Sequence, residues 1–249
     1  MQYMLKNCQA MRQWLQQPTG KIFLASEHHQ IAEILPRLFG YHLLILGEPA
    51  FASCTSTSTI NHQILINPCL DIETSNVVTL VTSRQDKLPI ESNSIDAVYL
   101  AHCLELTNNP HEVLRETYRV LRPEGIAIIT GFNPWRLWGL WQLLVKFYKN
   151  PPWYNQLIST FQLENWLSIL EFDILHAKNF CFSWPTNHRT ILQKIHNIEQ
   201  LACNLHLSFG VAYIIMACKR MSTLTPIKQK WQFRRRIMQN NVAESLVEI

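Results

Sequence analysis

Short apolar runs alternate with longer amphipathic segments along most of this chain. Seven runs have the length and boundaries of buried strands: His42–Glu48, Gln63–Asn67, Val77–Val81, Ile95–Leu100, Ile126–Thr130, Asp173–Phe180 and Phe209–Cys218. Helical periodicity marks six segments: Gln9–Gln16, Ser26–Phe39, Pro110–Leu121, Asn133–Lys149, Phe161–Leu170 and Thr186–Leu205. Strands and helices that alternate in this order predict an α/β fold.

The clearest unit is a strand, a helix and a second strand in the middle of the chain. The strand Ile95–Leu100 is followed by Asn109-Pro110, which predicts a helix start, with Asn109 as the cap and Glu112 in the position of a capping box. The next strand, Ile126–Thr130, begins after that helix has ended. A βαβ unit of this kind implies a parallel sheet.

The amino-acid composition limits the classes of protein to which this chain can belong. The chain has 249 residues, 47% of them hydrophobic and 16% charged, which indicates a globular protein with one large core. No signal peptide or membrane span is predicted, and the seven scattered cysteines show no metal-binding or redox spacing. We therefore expect a cytoplasmic protein with reduced thiols and without a metal ion.

Four motifs in order resemble class I S-adenosylmethionine (SAM)-dependent methyltransferases. They are Leu88–Ile90, Ser94–Val98, Arg119–Gly125 and Gly131–Gly139. The resemblance is to the methyltransferase type 11 branch, which contains the ubiquinone and menaquinone methyltransferases, and within it to a proteobacterial group. It implies a doubly wound, mostly parallel seven-stranded sheet of the Rossmann-like type, with the last strand antiparallel.

The resemblance also implies a domain organisation. Residues 1–224 are expected to form a single domain whose N-terminal helices cover the cofactor site. A Trp-rich insertion near residues 134–156 is expected within it, and residues 225–249 form a basic tail.

The implied cofactor is SAM, bound at the carboxyl ends of the strands. The predicted cofactor-binding residues are Gly47, Glu48, Asn67, Arg84, Gln85, Asp86, Ala101 and His102. The turn after the first strand keeps only one of the family's glycines, Gly47, and the polar run after it is either a loop or a source of hydroxyl groups. Asn67 stands where the family has an acid that binds ribose, and Arg84 where it often has an aspartate, with Asp86 two residues later. SAM binding therefore requires that one glycine leaves room for an adenosyl group.

Methyl transfer from a sulfonium is an in-line displacement with a good leaving group, so it needs alignment and exclusion of water rather than a metal. Some acceptors also need a base. His102, just after the fourth strand, is the candidate base, and a hydrogen-bonded loop histidine is an equally good interpretation. Glu105 either shares this role or places a charge at the sheet edge.

Asn133, Trp135 and Trp138 are the candidate substrate residues, because they open the Trp-rich helix after the fifth strand. Ordinary core packing is one interpretation of this helix. A lid over a small apolar methyl acceptor is the second. Contact with a membrane surface is the third, although the helix lacks the charged face of such anchors.

Two other classes of function stay open. A non-catalytic relative with lost SAM affinity would explain the single glycine, Asn67 and Arg84. An RNA-binding module would use Arg234–Arg236 and the neighbouring aromatic residues, although a solvated tail is more common and the net charge of +4 does not require a nucleic-acid partner. The pattern specifies neither the acceptor atom nor the oligomeric state.

Overall fold

A computed structural model describes residues 2–68, 78–134, 157–180 and 212–220. The predicted helices at 133–149 and 186–205, the Trp-rich insertion and the basic tail lie largely or wholly outside these residues.

Seven strands form one sheet. They are β1 (His42–Gly47), β2 (His62–Ile66), β3 (Val78–Val81), β4 (Ile95–Ala101), β5 (Leu121–Phe132), β6 (Phe172–Phe180) and β7 (Ala212–Lys219). The order is β3-β2-β1-β4-β5-β7-β6, with β1 to β5 parallel and β7 antiparallel to both of its neighbours. The predicted seven-stranded α/β sheet with an antiparallel last strand is confirmed.

The described helices pack on both faces of this sheet. They are α1 (Gln2–Gln16), α2 (Pro18–Ile34), α3 (Cys103–Leu106), α4 (Pro110–Val120) and α5 (Thr160–Ile169), with 3₁₀ turns at Leu35–Arg37 and Pro49–Thr55. None of these helices is long and apolar enough to cross a membrane.

Successive side chains of a strand point to opposite faces, and β1 shows the result. Leu43 and Ile45 join a core cluster beneath α1 and α2, whereas Leu44 and Leu46 join a second cluster beneath α4 and α5. All four are completely buried. An apolar run without alternation is therefore explained by a sheet that is covered on both sides.

Three local predictions were wrong. The fifth strand begins at Leu121, five residues before its predicted start at Ile126. The N-terminal helices are longer than the predicted segments 9–16 and 26–39, and Pro18 opens α2 in the first turn, where its missing N–H costs nothing. Gly20 was expected to break the helix but lies within α2. Its position requires glycine, because a side chain there would collide with the carbonyl group of Trp14. Asn109 precedes α4 as expected, but its side chain makes no capping hydrogen bond.

Candidate active site

The carboxyl ends of β1, β2, β4 and β5 meet at one edge of the sheet, and the N-terminal helices lie over that edge. Trp14 of α1 and Phe23 of α2 contact Phe132 at the end of β5, with ring centroids 6.0 and 5.1 Å apart. Arg12 of α1 bonds to Glu48, the residue that follows β1. The helices thus cover the region where a doubly wound sheet binds its ligand.

Gly47 ends β1 beside Ala101 of β4. A Cβ atom at Gly47 would lie 2.5 Å from the carbonyl oxygen of Ala101 and 2.9 Å from its Cβ. Strand packing is therefore sufficient to require glycine here. The 3₁₀ turn that follows places Phe51 completely inside the protein.

Glu48 and Asn67 are bonded to each other, and Glu48 is also bonded to the covering helix α1. The side-chain amide of Asn67 donates to the carbonyl oxygen of Gly47 (2.7 Å) and to Oε1 of Glu48 (3.2 Å). Arg12 Nε donates to Oε2 of Glu48 over 3.1 Å. Glu48 and Asn67 are completely buried, so this conformation satisfies two predicted cofactor residues with partners from the chain itself.

The loop after β3 separates the three residues predicted there. Arg84 Nε donates to Oδ1 of Asp86 over 2.9 Å at the surface, and this bond lowers the pKa of Asp86. Gln85 is buried, and its Oε1 accepts a hydrogen bond from the thiol of Cys103 (3.0 Å). Only Gln85 is directed to the protein interior.

His102 is the centre of a buried cluster of charged groups. It follows β4 with a left-handed backbone (φ 49°) and is completely buried. Its Nδ1 lies 3.1 Å from Oε2 of Glu105, and its Nε2 lies 3.4 Å from Oε2 of Glu27 on α2. Tyr99 donates its hydroxyl to Oε1 of Glu27 over 2.6 Å. The backbone N–H of Phe132 donates to Oε1 of Glu105. The predicted pair His102 and Glu105 is thus in direct contact.

Aromatic rings surround the His102 imidazole. Its centroid lies 4.3 Å from that of Phe132 and 5.3 Å from those of Phe23 and Phe51. These rings exclude water from the cluster, and the low local dielectric strengthens the attraction between the imidazole and its two carboxylates.

Burial alone lowers the pKa of His102, but the charges of Glu27 and Glu105 outweigh it and raise this pKa to about 10. Burial raises the pKa of Glu105, while the imidazolium and the N–H of Phe132 act in the opposite direction. An imidazolium has no free lone pair, so the base role predicted for His102 requires that it first lose its proton.

Glu27 was missed by the sequence reasoning, although a signal was present. It lies four residues from both Phe23 and Ile31, which are buried on the same stripe of α2. An acid in the apolar stripe of a helix requires a buried partner, and Tyr99 and His102 are those partners.

The remaining predicted residues are distributed as follows. Ala101 is completely buried beside Gly47, and Asn133 is buried at the end of β5. Trp135 and Trp138 lie outside the described residues. Within the described ranges, no group of three or more His, Cys, Asp or Glu side chains is placed to hold a metal ion.

Large side chains at this edge are buried beneath α1 and α2. Phe51, Phe132 and His102 are all completely buried. A cavity of about 690 Å³ lies elsewhere, at the amino end of β4, where Asp96 and Arg122 contribute to its wall. We call the carboxyl edge of the strands, covered in this way by the two helices, the closed edge.

Comparison with known proteins agrees with the architecture. Residues 51–129 match the model of a methyltransferase domain, and this match begins just after the Gly47 turn. The YafS protein of Escherichia coli (strain K12) is 29% identical over 220 residues, which cover 87% of this chain and 85% of YafS.

Two solved structures share the fold. A SAM-dependent methyltransferase from Thermotoga maritima superimposes with a TM-score of 0.63 at 18% identity, covering 84% of this chain and 94% of that one. The [4+2]-cyclase SpnF superimposes with a TM-score of 0.53 at 16% identity, covering 78% and 80%. The resemblance to class I SAM-dependent methyltransferases is thus confirmed, and SpnF shows that the same fold also carries another reaction.

Proposed function

We propose that this protein is a SAM-dependent methyltransferase that acts on a small, apolar acceptor. The observation that carries this proposal is the methyltransferase-domain match over residues 51–129, which coincides with the part of the sheet from β2 to β5. The fold alone would not be sufficient, because one fold hosts many reactions.

The polar groups at the closed edge are chemically suited to a nucleoside. Glu48 offers a carboxylate that can accept two hydroxyl hydrogens, and Asn67 and Gln85 offer amides that both donate and accept. Each is buried at or just beyond the carboxyl end of a strand. They would hold the adenosyl part of SAM after exchanging their present partners, including Arg12, for the ligand.

When bound, SAM supplies an activated methyl group on a sulfonium. The chain contributes positioning and exclusion of water. The rings of Phe23, Phe51 and Phe132 provide the apolar walls. His102 and Glu105 are proposed as the polar catalytic groups, and Asn133, Trp135 and Trp138 as contacts to the acceptor.

Binding of SAM requires the closed edge to open, and α1 and α2 are the elements that cover it. Isothermal calorimetry with SAM and with S-adenosylhomocysteine tests the proposal directly. We expect heat of binding together with a change in amide exchange over residues 2–34. Absence of heat at high protein concentration would refute SAM binding.

A matched pair of variants makes this test specific. Asn67→Leu removes a buried amide that is proposed to contact the nucleoside, and we expect it to weaken SAM binding about tenfold or more, the loss of about one polar interaction. Asn109→Leu changes an exposed residue that precedes α4 and should bind SAM like the parent.

A second candidate is a non-catalytic relative with lost SAM affinity. The observation that favours it is the closed edge, where Asn67 is bonded to Gly47 and Phe51 is buried. The calorimetric experiment separates the two candidates, because only the enzyme binds SAM.

We also propose a cytoplasmic location. Cys54, Cys103 and Cys218 are free thiols, as is usual in a reducing compartment. The proposed partner is a small-molecule methyl acceptor. The RNA-binding alternative and a peripheral membrane contact depend on the basic tail and the Trp-rich helix, and neither is supported by the described residues.

A further inference from the structure

Hydrogen bonding in the buried cluster is interrupted at one point, between Glu27 and His102. Oε1 of Glu27 is satisfied by Tyr99, and Nδ1 of His102 by Glu105. Oε2 of Glu27 and Nε2 of His102 lie 3.4 Å apart, outside hydrogen-bonding geometry. Within the described residues neither atom has a hydrogen-bond partner, although both side chains are completely buried.

The two atoms attract each other as an ion pair, but each lacks the hydrogen bond that buried polar atoms normally make. A missing hydrogen bond of a buried atom costs about 1–3 kcal/mol, so this point in the cluster requires an explanation. Among the residues that the structure describes, no group of three or more His, Cys, Asp or Glu side chains is placed to hold a metal ion. The two atoms belong to α2 and to the end of β4, the covering helix and the catalytic edge. A ligand group between them would be held by both elements.

The donor and acceptor count defines the ligand group. With His102 protonated, its Nε2–H donates, whereas Oε2 of Glu27 accepts. A hydroxyl group satisfies both atoms, since it has one O–H and two lone pairs, and one lone pair remains free. A neutral amine nitrogen has a single lone pair. When this lone pair accepts the hydrogen bond from His102, none is left to attack the methyl group. A thioether, or a carbon acceptor that bears no hydroxyl group, has no polar hydrogen for Glu27.

We infer that Glu27 is a catalytic residue, the proton acceptor for a hydroxyl-bearing acceptor that binds between Glu27 and His102, so that the reaction is O-methylation. This inference rests on the proposed function. The acceptor O–H bond breaks and its proton goes to Oε2 of Glu27. The oxygen forms a bond to the methyl carbon as the carbon–sulfur bond breaks, and that electron pair stays on sulfur, which becomes a neutral thioether.

The surroundings describe the rest of the acceptor. The three phenylalanine rings around His102 form apolar walls, which suit an aromatic or aliphatic body next to the hydroxyl. Two of these rings, Phe23 and Phe51, lie on α2 and on the 3₁₀ turn after β1. The elements that would make room for the acceptor are therefore the same ones that close the edge.

Phenol and toluene are matched probes, because they differ by the hydroxyl group. The full-length protein would be titrated with each while the ¹⁵N resonances of the His102 ring are followed by NMR. We expect phenol, and not toluene, to shift the Nε2 resonance. Glu27→Gln should weaken the phenol response about tenfold, the loss expected for one hydrogen bond to a charged group.

Glu33→Gln is the control, because it removes the same charge from the same helix. Glu33 is half-exposed, and its described ion pairs are with His29 and Lys178. In the Glu33→Gln variant, phenol should shift the Nε2 resonance of His102 as it does in the parent protein. A shift of equal size with toluene, or no shift with phenol, would overturn the inference.

Methyl transfer supplies the second readout. With SAM present, phenol should yield anisole. Glu27→Gln should lower the rate of anisole formation about 10²- to 10⁴-fold, as expected for loss of a general base. Formation of N-methylaniline from aniline without any anisole from phenol would overturn the inference, as would SAM binding with no anisole. If SAM does not bind while phenol still shifts His102, the proposed function fails and the hydroxyl site remains.

Discussion

At the scale of single residues, the buried acid Glu27 requires partners and raises the pKa of one of them, His102. A carboxylate in an apolar stripe is stable only with partners, and Tyr99 and His102 supply them. His102 is in turn placed between Glu27 and Glu105, so it holds its proton more tightly than an exposed histidine does. The histidine predicted as a base is thus better described as the cation that organises two carboxylates.

This arrangement predicts a pH-dependent stability. The folded-state pKa of His102 is raised from 6.5 to about 10 by its carboxylates. The stabilisation is therefore fully present below pH 6.5 and is lost as the pH rises through 10. We expect His102→Gln to lower the free energy of unfolding by about 3–5 kcal/mol at pH 6, because two buried acids lose their cation. Urea unfolding at pH 6, 8 and 10 measures this difference.

The difference between parent and His102→Gln should shrink toward pH 10, since the parent loses its imidazolium there. His29→Gln is the control, as His29 is largely exposed on α2 and should follow the parent at every pH. A destabilisation by His102→Gln that is the same at pH 6 and pH 10 would contradict the charged state assigned to His102.

At the scale of elements, α1 and α2 behave as a cover that is attached by polar groups as well as by packing. Arg12 reaches from α1 to the buried Glu48, and Glu27 reaches from α2 to Tyr99. Trp14 and Phe23 add aromatic contacts to Phe132. The proposed SAM binding requires these attachments to be released, so that α1 and α2 move while the sheet stays folded.

The attachment of α1 can be tested with Arg12→Met. This change leaves the Glu48 carboxylate buried without its cation, and we expect a loss of about 3 kcal/mol in the free energy of unfolding. Urea denaturation measures the loss, and amide exchange over residues 2–16 should become faster.

The double variant Arg12→Met/Glu48→Gln is the matched control. It removes the charge together with its partner, so it should be more stable than Arg12→Met alone. If the two variants are equally stable, the contact of Arg12 with Glu48 is not what holds α1.

At the scale of the whole molecule, the order and direction of the strands place the candidate site at one edge of the sheet. Parallel strands β1 to β5 bring their carboxyl ends to one edge, while β7 runs in the opposite direction between β5 and the outer strand β6. We propose that residues 1–224 form one domain. The last strand ends at Lys219, and Arg220 is bonded back to the Glu171 carbonyl group and to Asp173.

Removal of residues 225–249 tests this proposal. Because the deletion begins after β7 and after Arg220, we expect one cooperative unfolding transition and a free energy of unfolding within about 0.5 kcal/mol of the parent. Thermal and urea unfolding followed by circular dichroism measure both quantities. Loss of the cooperative transition would show that the tail is part of the domain.

The same deletion addresses the RNA-binding alternative. An RNA-binding module that uses Arg234–Arg236 would lose its affinity for a single-stranded RNA probe together with the tail. Equal affinity before and after the deletion, or no affinity in either form, would dispose of that alternative.

The sequence by itself determined the strands, the sheet type and the resemblance. Strands β1 and β4 were predicted to within one residue, because a run that is buried on both faces has a local apolar composition. The start of β5 was not predicted, because its first residues, Leu121–Gly125, include charged residues and a proline. The motifs from Leu88 to Gly139 predicted the fold class because they combine local structure in a fixed order. Helix ends were less predictable, since Pro18 both breaks one helix and opens the next.

Only the tertiary structure decided the composition of the site. Glu27 and His102 are distant in the chain, and their contact depends on how α2 crosses the end of β4, which no local pattern records. The same holds for the loop at residues 84–86, where packing directs Gln85 inward and pairs Arg84 with Asp86 at the surface. Local periodicity specifies elements, whereas the chemistry of a site depends on side chains that folding brings together.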